Sequence, residues 1–347
     1  MDTNVNNAPK VKRESKNKIK VEFERAPLKE RLKAKFLSGY FVGNVVWFLF
    51  RFLILLGVSF VIIYPFISKI AGSFMGQEDF IDVTVRLIAK NPTLDTYKAI
   101  FTELGYWEAF TNTTILSLSC ALLQMAVSCL VGYGLAKFKF KGNGIIFLLV
   151  ILTMIIPHST LQLSMFRKFR RFDVFGIFSV LGPTLGWKYP YLELTNTFVP
   201  YILLSITGLA FKNGLYIFLM RQFFLGVPDE LEESAYIDGS GTFKTFLKII
   251  IPLSVPMMVT VFLFAFSWQW TDEFYHSMFF TSDKTLLMPN LIEEIPKSLQ
   301  TDYAGQSLFY SAIRNTCGLV IIAPLLIIYL FCQRQLVQGI ERSGIVG

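Results

Sequence analysis

The chain has 347 residues, of which 53% are hydrophobic and only 17% are charged. Ordinary soluble domains carry about 25% charged residues, so the composition favours a polytopic membrane protein. The formal net charge is +8, but the basic residues lie mostly in tails and loops, which points to membrane topology and not to nucleic-acid binding. The four cysteines lie within apolar runs and the two histidines are far apart, so neither disulfides nor a metal site is predicted.

The first 43 residues are rich in lysine, asparagine and glutamate, which is typical of a polar tail. A signal peptide is not expected, because the charged region is too long and no small-residue cleavage site follows the first apolar run. We therefore divide the chain into a basic tail at 1–43, a transmembrane domain at 44–337 and a C-terminal tail at 338–347.

Six apolar segments are each long enough to cross a bilayer, which takes about 20 residues. In lipid each segment is expected to be helical, because every backbone donor and acceptor must be satisfied within its own segment. The fold class predicted is therefore an all-α polytopic membrane protein with six transmembrane helices. The predicted spans lie at about 45–70, 110–136, 145–166, 198–224, 254–280 and 309–332.

The basic residues also predict the orientation of the chain. They concentrate in the N-terminal tail, in the loop with Lys137, Lys139 and Lys141, after Phe224, and near the C-terminus. Loops rich in lysine and arginine lie on the cytoplasmic side of a membrane. An even number of spans then places both termini in the cytoplasm.

One basic cluster departs from this rule, because Arg167, Lys168, Arg170 and Arg171 follow the third span on the expected outer side. One interpretation is an interfacial helix whose cations lie near lipid headgroups. The other is that these cations steer an acidic substrate, such as a sugar containing uronate, towards the entrance of a path.

A polar segment interrupted by glycines lies at 228–252, between the fourth and fifth spans. Pro228 suits the first turn of a helix, and the acidic residues that follow it suit the positive end of the helix dipole. Gly239 can adopt the left-handed conformation that closes many helices, so this helix is expected to end near Asp238. We call the whole segment 228–252 the elbow.

A second helix is predicted from Thr242, because apolar residues recur there at helical spacing. The residues expected on one face are Phe243, Phe246, Leu247 and Ile250. Pro252 and Pro256 then lead into the fifth span. The elbow is thus expected to form a helix, a glycine turn and a second helix on the cytoplasmic membrane surface.

The elbow resembles the EAA signature of permease subunits of bacterial ATP-binding-cassette (ABC) importers. The matching order is Glu233-Ser234-Ala235, three residues, Gly239, nine residues, and then three isoleucines before Pro252. Serine at the second position and isoleucine before the proline are conservative departures from the signature.

The resemblance extends over most of the chain. Asn112-Thr113, at the start of the second span, is similar to a pair that the family carries there. The segment 252–256 and the ending FCQRQLVQGIERSGIVG resemble the smaller permease of maltose-type carbohydrate importers. The resemblance implies the type I ABC importer permease fold in a bacterial plasma (inner) membrane, and import of an oligosaccharide, with an acidic sugar as one candidate.

The resemblance also implies the partners. These are a second homologous permease, two ATP-binding subunits and an extracytoplasmic solute-binding protein that delivers the oligosaccharide. In the family, the short EAA helix sits in a cleft of the ATP-binding subunit. The residues expected to dock there are Glu232, Glu233, Ser234, Ala235, Asp238 and Gly239. Gln338 and Gly339, in the C-terminal tail, are expected to contact the ATPase as well.

The chain is not expected to be an enzyme. It contains no G-x-x-x-x-G-K-[ST] motif, and the nearest look-alike, GSGTFKT at 239–245, lacks the glycine-lysine pair that cradles phosphate. No cofactor is therefore expected in this chain, and ATP and Mg are expected to bind to the partner subunits.

Candidate residues for the substrate path lie in the fourth and fifth spans, where aromatic faces and hydrogen-bonding groups suit sugar rings. They are Trp268, Gln269, Trp270, Asp272, Tyr275 and Asn213. Acids at membrane depth usually face a cavity or a partner. In the alternative interpretation the tryptophans form an interfacial belt and the acids cap the helix. Lys212 and Asn213 could also form a polar contact between subunits, because a lysine facing lipid is costly.

Other functions remain open from the sequence. An ABC permease for a non-sugar solute would carry a related elbow. An ion-coupled secondary transporter would normally show two repeated halves and an ion site, and neither is visible in the sequence. A membrane-embedded enzyme would present clustered acids or histidine-rich motifs.

Overall fold

A computed structural model describes residues 39–186, 189, 191–281, 285–303 and 306–344. Over these residues the chain is helical, with two isolated β-bridges and no strand. The chain divides into two compact units, 1–65 and 66–347. Of the first unit only residues 39–65 are described, and they belong to one helix. The predicted basic tail at 1–43 therefore lies almost entirely outside the described residues.

The helices are named here in chain order. They are α1 (Gly39–Ser73), α2 (Asp95–Glu103), α3 (Tyr106–Lys137), α4 (Asn143–Ile155), α5 (His158–Arg170), α6 (Ile177–Thr184), α7 (Val199–Ile206), α8 (Asn213–Leu225), α9 (Glu230–Ile237), α10 (Thr242–Trp270), α11 (Phe274–Phe279) and α12 (Gln306–Gly344). Short 3-10 turns lie at Gln77–Phe80, Met288–Ile292 and Lys297–Leu299.

Four of the described helices are long and apolar enough to cross a membrane. They are Phe41–Ser73, Tyr106–Lys137, Thr242–Trp270 and Gln306–Gly339, and they contain most of the first, second, fifth and sixth predicted spans. The predicted third span is bent by 99° between α4 and α5, and counting this pair as one span gives five. The bend lies at Pro157, which cannot donate a backbone hydrogen bond and holds Ile156 in an extended conformation.

The predicted fourth span differs from a single helix. It consists of α7 and α8, separated by residues 207–212. Gly208 and Lys212 have positive φ angles of 75° and 66° in this break. Hydropathy alone did not show the interruption, because the apolar residues on either side of it form a nearly continuous run.

The core of the second unit is centred on α3. This helix packs against α7, α8 and α10, and α10 also packs against α12. Buried side chains such as Tyr133, Met220, Phe224 and Val261 fill the space between α3, α8 and α10. These helices connect the elbow at one end of α3 to the cleft described below.

The Asn112-Thr113 pair has a structural role in this fold. The Asn112 side chain donates a hydrogen bond to the Leu286 carbonyl at 3.1 Å, and the Met288 backbone N–H donates to the Thr113 hydroxyl at 2.9 Å. The pair therefore fixes the segment around 286–288 against the first part of α3.

Candidate functional sites

The first half of the elbow is a short helix with a well-defined end. Helix α9 closes with Gly239 at φ 78°, a conformation that glycine adopts without the steric cost of a Cβ atom. The Gly239 N–H donates to the Tyr236 carbonyl at 3.0 Å, and the Ser240 N–H donates to the Ala235 carbonyl at 2.9 Å. This pair of hydrogen bonds defines a Schellman motif. The helix thus ends at the residue that the sequence indicated.

Helix α9 has one buried face and one exposed face. Glu232 and Ala235 are 8% and 5% exposed and face the rest of the chain. Glu233, Ser234, Asp238 and Gly239 are exposed. The six residues predicted to dock a partner are therefore divided, with four of them on the exposed surface and two packed inward.

Exposed apolar side chains adjoin these polar residues, and the sequence reasoning did not single them out for docking. Ile237 is 86% exposed, and Leu231 and Tyr236 are each more than 40% exposed. Across the glycine turn, Phe243 is 70% exposed. The signal in the sequence was the presence of large apolar residues inside a segment that is otherwise polar.

Lys137, the last residue of α3, anchors the beginning of the elbow. Its ammonium group donates hydrogen bonds to the Val227 carbonyl at 2.6 Å and to Asp229 Oδ1 at 2.5 Å. The lysine side chain is 6% exposed, whereas that of Asp229 is 78% exposed. The hydrogen bond from Lys137 lowers the pKa of Asp229 below its usual value. Asp229 is thus a carboxylate at neutral pH, and α3 and the elbow are tied together by charge.

Glu232 lies in a different environment from Asp229. Burial raises the pKa of Glu232, although the nearby Lys137 acts in the opposite direction. Tyr133 neighbours Glu232, and its ring centroid lies 4.7 Å from that of Phe246. The inward face of α9 is therefore packed against the end of α3 and the start of α10.

The second half of the elbow continues directly into α10. The helix is π-helical over Phe246–Ile250, and the Ile251 N–H donates to the Phe246 carbonyl. This wider turn comes just before Pro252, which cannot donate the next helical hydrogen bond. The predicted apolar face is therefore split, since Phe246 and Ile250 are buried while Phe243 and Leu247 are exposed.

The predicted C-terminal contact lies inside α12, which runs to Gly344. Gly339 is buried, and a Cβ atom added there would lie 2.3 Å from Thr260 Oγ1 and 2.8 Å from the Pro256 carbonyl oxygen. Close packing of α12 on α10 thus explains the glycine at this position. Gln338, beside it, is half-buried.

The second site is a narrow cleft at the other end of α10. Four of the predicted path residues line it together, and Gln124, Phe211 and Ala265, which were not predicted, complete its wall. The predicted members are Trp268, Gln269, Asp272 and Tyr275. The cleft thus combines aromatic rings with amide and carboxyl groups.

The two other predicted path residues lie elsewhere. Trp270 is 1% exposed, and its indole N–H donates to the Ile321 carbonyl at 2.9 Å, so it serves the packing of α10 on α12. Asn213 is fully buried at the start of α8 and does not line the cleft. Both residues are adjacent in sequence to residues that line the cleft or the cavity. Their positions in the sequence did not show which side chains face the cleft and which are buried in the core.

Lys212 lies beside the cleft, at the break between α7 and α8. Its ammonium nitrogen is 4.8 Å from the ring centroid of Phe211 and 4.9 Å from that of Trp268. Lys212 and Phe211 also line a cavity of about 540 Å³ at the bend between α4 and α5, together with His158 and Ser159. The cleft and the cavity therefore share one wall.

Comparison with known proteins identifies the class to which this fold and elbow belong. Residues 127–342, more than half of the chain, match the family described as "Binding-protein-dependent transport system inner membrane component". The chain belongs to this family. The match includes the elbow, the cavity and every cleft residue except Gln124, and it agrees with the family resemblance indicated by the EAA-like order of residues.

Two relatives give the comparison more detail. The arabinooligosaccharides transport system permease protein AraQ of Halalkalibacterium halodurans is 28% identical over 293 residues, which cover 84% of this chain and 93% of that protein. The galactooligosaccharides transport system permease protein GanQ of Bacillus subtilis is 26% identical over 318 residues, which cover 90% of this chain and 100% of that protein.

A solved structure supports the fold. The crystal structure of a bacterial ABC transporter involved in the import of the acidic polysaccharide alginate contains a similar chain, with a TM-score of 0.63. The two chains are 17% identical, and the alignment covers 84% of this chain and 97% of the other. The fold is therefore that of an ABC importer permease chain.

Proposed function

We propose that this chain is a permease subunit of an ATP-binding-cassette importer, and that it carries an oligosaccharide across a bacterial plasma membrane with a second permease. Family membership supports transport, and the relatives named above are permeases for oligosaccharides of two different sugars. The aromatic, amide and carboxyl groups around the cleft are of the kinds that contact sugars, and the cleft, of only about 10 Å³, adjoins the larger cavity of about 540 Å³.

The exposed face of α9 is the observation that carries this proposal. Ser234, Ile237 and Gly239 present a small, partly apolar surface on a short helix with a fixed end. Exposed apolar patches rimmed by polar residues mark interaction sites. We assign this surface to docking on an ATP-binding subunit, and we place Glu233 at its edge for a polar contact.

The elbow can pass movement into the membrane domain. When two ATP-binding subunits close on ATP and Mg, α9 moves with the subunit on which it docks. Lys137 then transmits that movement to α3, because its ammonium group holds both Val227 and Asp229. Helix α3 in turn packs against α7, α8 and α10. The chain itself performs no ATP chemistry in this scheme.

The topology proposed has six spans. These are α1, α3, the bent pair α4 and α5, the broken pair α7 and α8, α10, and α12. Both termini and the elbow then lie in the cytoplasm, in agreement with the positions of the basic loops. Gln338 is assigned to a contact with the ATPase beside the C-terminal end of α12. An external binding protein delivers the sugar, by analogy with the alginate transporter crystallised with an alginate pentasaccharide-bound periplasmic protein.

Co-purification tests the proposal. An affinity-tagged form of the full chain should bring down an ATP-binding subunit and a second permease in stoichiometric amounts. Ile237→Asp should reduce the recovered ATP-binding subunit by about tenfold, because it places a charge in the docking surface. Ile88→Asp is the matched control, since Ile88 is also strongly exposed, at 84%, but lies far from the elbow in sequence. Recovery of the chain without any ATP-binding subunit would refute the proposal.

A further inference from the structure

Lys212 is held in an unusual position. It precedes α8 with a left-handed backbone, φ 66°, which few residues other than glycine, asparagine and aspartate adopt. Strained backbone of this kind concentrates at functional sites. The lysine side chain lies over Phe211 and Trp268, beside the wall shared by the cleft and the cavity.

Lys212 has no acidic partner within the described part of the chain. Three ion pairs occur there, Lys90–Asp82, Lys137–Asp229 and Arg170–Glu193, and none involves Lys212. The two aromatic rings stabilise the ammonium group through their π-electrons, and they leave its N–H donors available for another ligand. A half-buried cation so arranged is suited to an anionic group that arrives from outside the chain.

The space beside Lys212 is large enough for a ligand. The cavity of about 540 Å³ falls within the range of 300–1,000 Å³ found for small-molecule sites. Its other polar residues include His158 and Ser159. No acidic residue lines this cavity among the described residues. A carboxylate in the cavity would thus meet Lys212 without repulsion from its walls.

Asp272 lines the cleft, which shares Phe211 with the cavity. Asp272 Oδ1 accepts a hydrogen bond from the Tyr275 backbone N–H at 3.4 Å, and its Oδ2 has no hydrogen-bond partner in the described chain. A carboxylate oxygen of this kind accepts hydrogen bonds from hydroxyl groups. The cavity and the cleft therefore suit different parts of one ligand. An acidic group of the ligand would lie near Lys212, and a hydroxyl group of the ligand would lie near Asp272.

Helix α5, whose first residues line the cavity, carries a second basic feature at its other end. It begins with His158 and Ser159 at the cavity and ends with Arg167, Lys168 and Arg170. Arg167 and Arg170 are exposed. A cationic end on the helix that leads from the cavity favours the approach of negatively charged solutes.

We infer that Lys212, stacked between Phe211 and Trp268, forms an anion-binding subsite in the translocation path, and that the imported oligosaccharide carries carboxylate groups. The inference rests on the proposed function as an oligosaccharide permease and names its substrate class. Lys212 contacts the carboxylate of a uronate-type sugar residue, Trp268 stacks on a sugar ring, and Asp272 accepts a sugar hydroxyl.

A pair of matched sugars tests the inference in the assembled importer with its binding protein. Short oligouronates are compared with the same oligosaccharides after reduction of their carboxyl groups to alcohols. The wild-type complex should import the oligouronates and prefer them to the reduced forms. Lys212→Gln should lower uptake of oligouronates about ten- to a hundredfold, the range for loss of one charge-assisted hydrogen bond. Lys212→Arg should lose clearly less uptake of oligouronates than Lys212→Gln, because it retains the charge, although its larger planar group does not reproduce the lysine geometry.

The controls separate this role from a structural one. Both variants should reach the membrane and co-purify with the partner subunits in wild-type amounts. Equal losses in the Gln and Arg variants, or equal losses for both sugars, would show that Lys212 serves the fold or pairs with the second permease, and would overturn the inference. Import of reduced sugars alone would also overturn it while leaving the proposed function intact. Import of neither sugar would likewise overturn the inference, whereas the proposed function would fall only if no ATP-binding subunit is recovered with the chain.

Discussion

The elbow and the break between α7 and α8 both interrupt the helical chain at a residue with positive φ, but the two residues differ. At the elbow the residue is Gly239, for which φ 78° carries no steric cost. At the break φ is positive at Gly208 and also at Lys212, where φ is 66° and a Cβ atom makes this conformation unfavourable. The elbow is a turn that its own sequence specifies. The break is maintained by its surroundings, and it holds a cation beside a cavity.

Replacing Gly239 with proline should have the largest effect. Proline fixes φ near −65°, so the Schellman turn cannot form and the exposed face of α9 is misdirected. Uptake should be abolished, and stimulation of the partner ATPase should be lost, while the amount of chain in the membrane stays at the wild-type level. Transport assays in vesicles and quantitative blots would measure these outcomes.

Gly241 provides the matched control for this substitution. Its φ of −76° is compatible with proline. Gly241→Pro should therefore keep most of the uptake, although it lies only two residues away. An equal loss of uptake in both variants would show that any rigid residue in the elbow is harmful. The left-handed turn at Gly239 would then have no special role.

Lys137→Met should have the next largest effect. It removes the hydrogen bonds to Val227 and Asp229 that join α3 to the elbow. Uptake should fall about tenfold, as expected for one charge-assisted interaction, while ATP hydrolysis falls less, so that more ATP is used per sugar. Lys139→Met, at an exposed position in the same loop, should change neither rate. A parallel decline of uptake and hydrolysis in Lys137→Met would argue against a role in transmission.

Trp268→Ala should affect the cleft beside the break between α7 and α8. Loss of the ring removes one of the two supports of Lys212 and a stacking surface of the cleft. The sugar concentration for half-maximal uptake should rise roughly three- to tenfold, from the usual contribution of one aromatic contact. Trp270→Phe should leave that concentration unchanged and lower thermal stability instead, because Trp270 is a core residue bonded to Ile321. If Trp270→Phe raised the sugar concentration for half-maximal uptake and Trp268→Ala did not, the path would lie on the other face of α10.

The sequence predicted the elbow more completely than the path, for a physical reason. Gly239 and the acidic first turn of α9 act through local backbone geometry, so their pattern in the sequence is sufficient to indicate the structure. The assignment of Trp268 to a cleft and Trp270 to the core depends on how α10 packs against α8 and α12. The break at Lys212 likewise depends on tertiary packing, and the run of apolar residues around it concealed it.

The long apolar helices were predictable because they too depend on a local property of the sequence. The length and composition of a segment decide whether it can span a bilayer. The pattern of apolar residues did not predict the bend at Pro157 or the burial of Gly339. Gly339, for which a partner contact is predicted, packs its backbone closely on Pro256 and Thr260.

Gly339→Ala should have the smallest effect on transport and a measurable effect on stability. The added methyl group has no room beside the Pro256 carbonyl and Thr260 Oγ1, so the free energy of unfolding should fall by about 1–3 kcal/mol. Gly318→Ala on the same helix meets no atom within 4 Å, and it should be neutral or stabilise the helix by up to about 1 kcal/mol. Unchanged stability together with lost ATPase coupling would instead favour a direct contact of Gly339 with the ATPase.

Site-specific crosslinking in the working importer tests the docking of α9 most directly. Ile237→Cys, on the exposed face of this helix, should crosslink to the ATP-binding subunit in membranes, and the yield should change when ATP is bound. Ile88→Cys should give no such product. Failure of Ile237→Cys to crosslink while the complex still imports sugar, or its labelling by a reagent confined to the outside of the cell, would contradict the account.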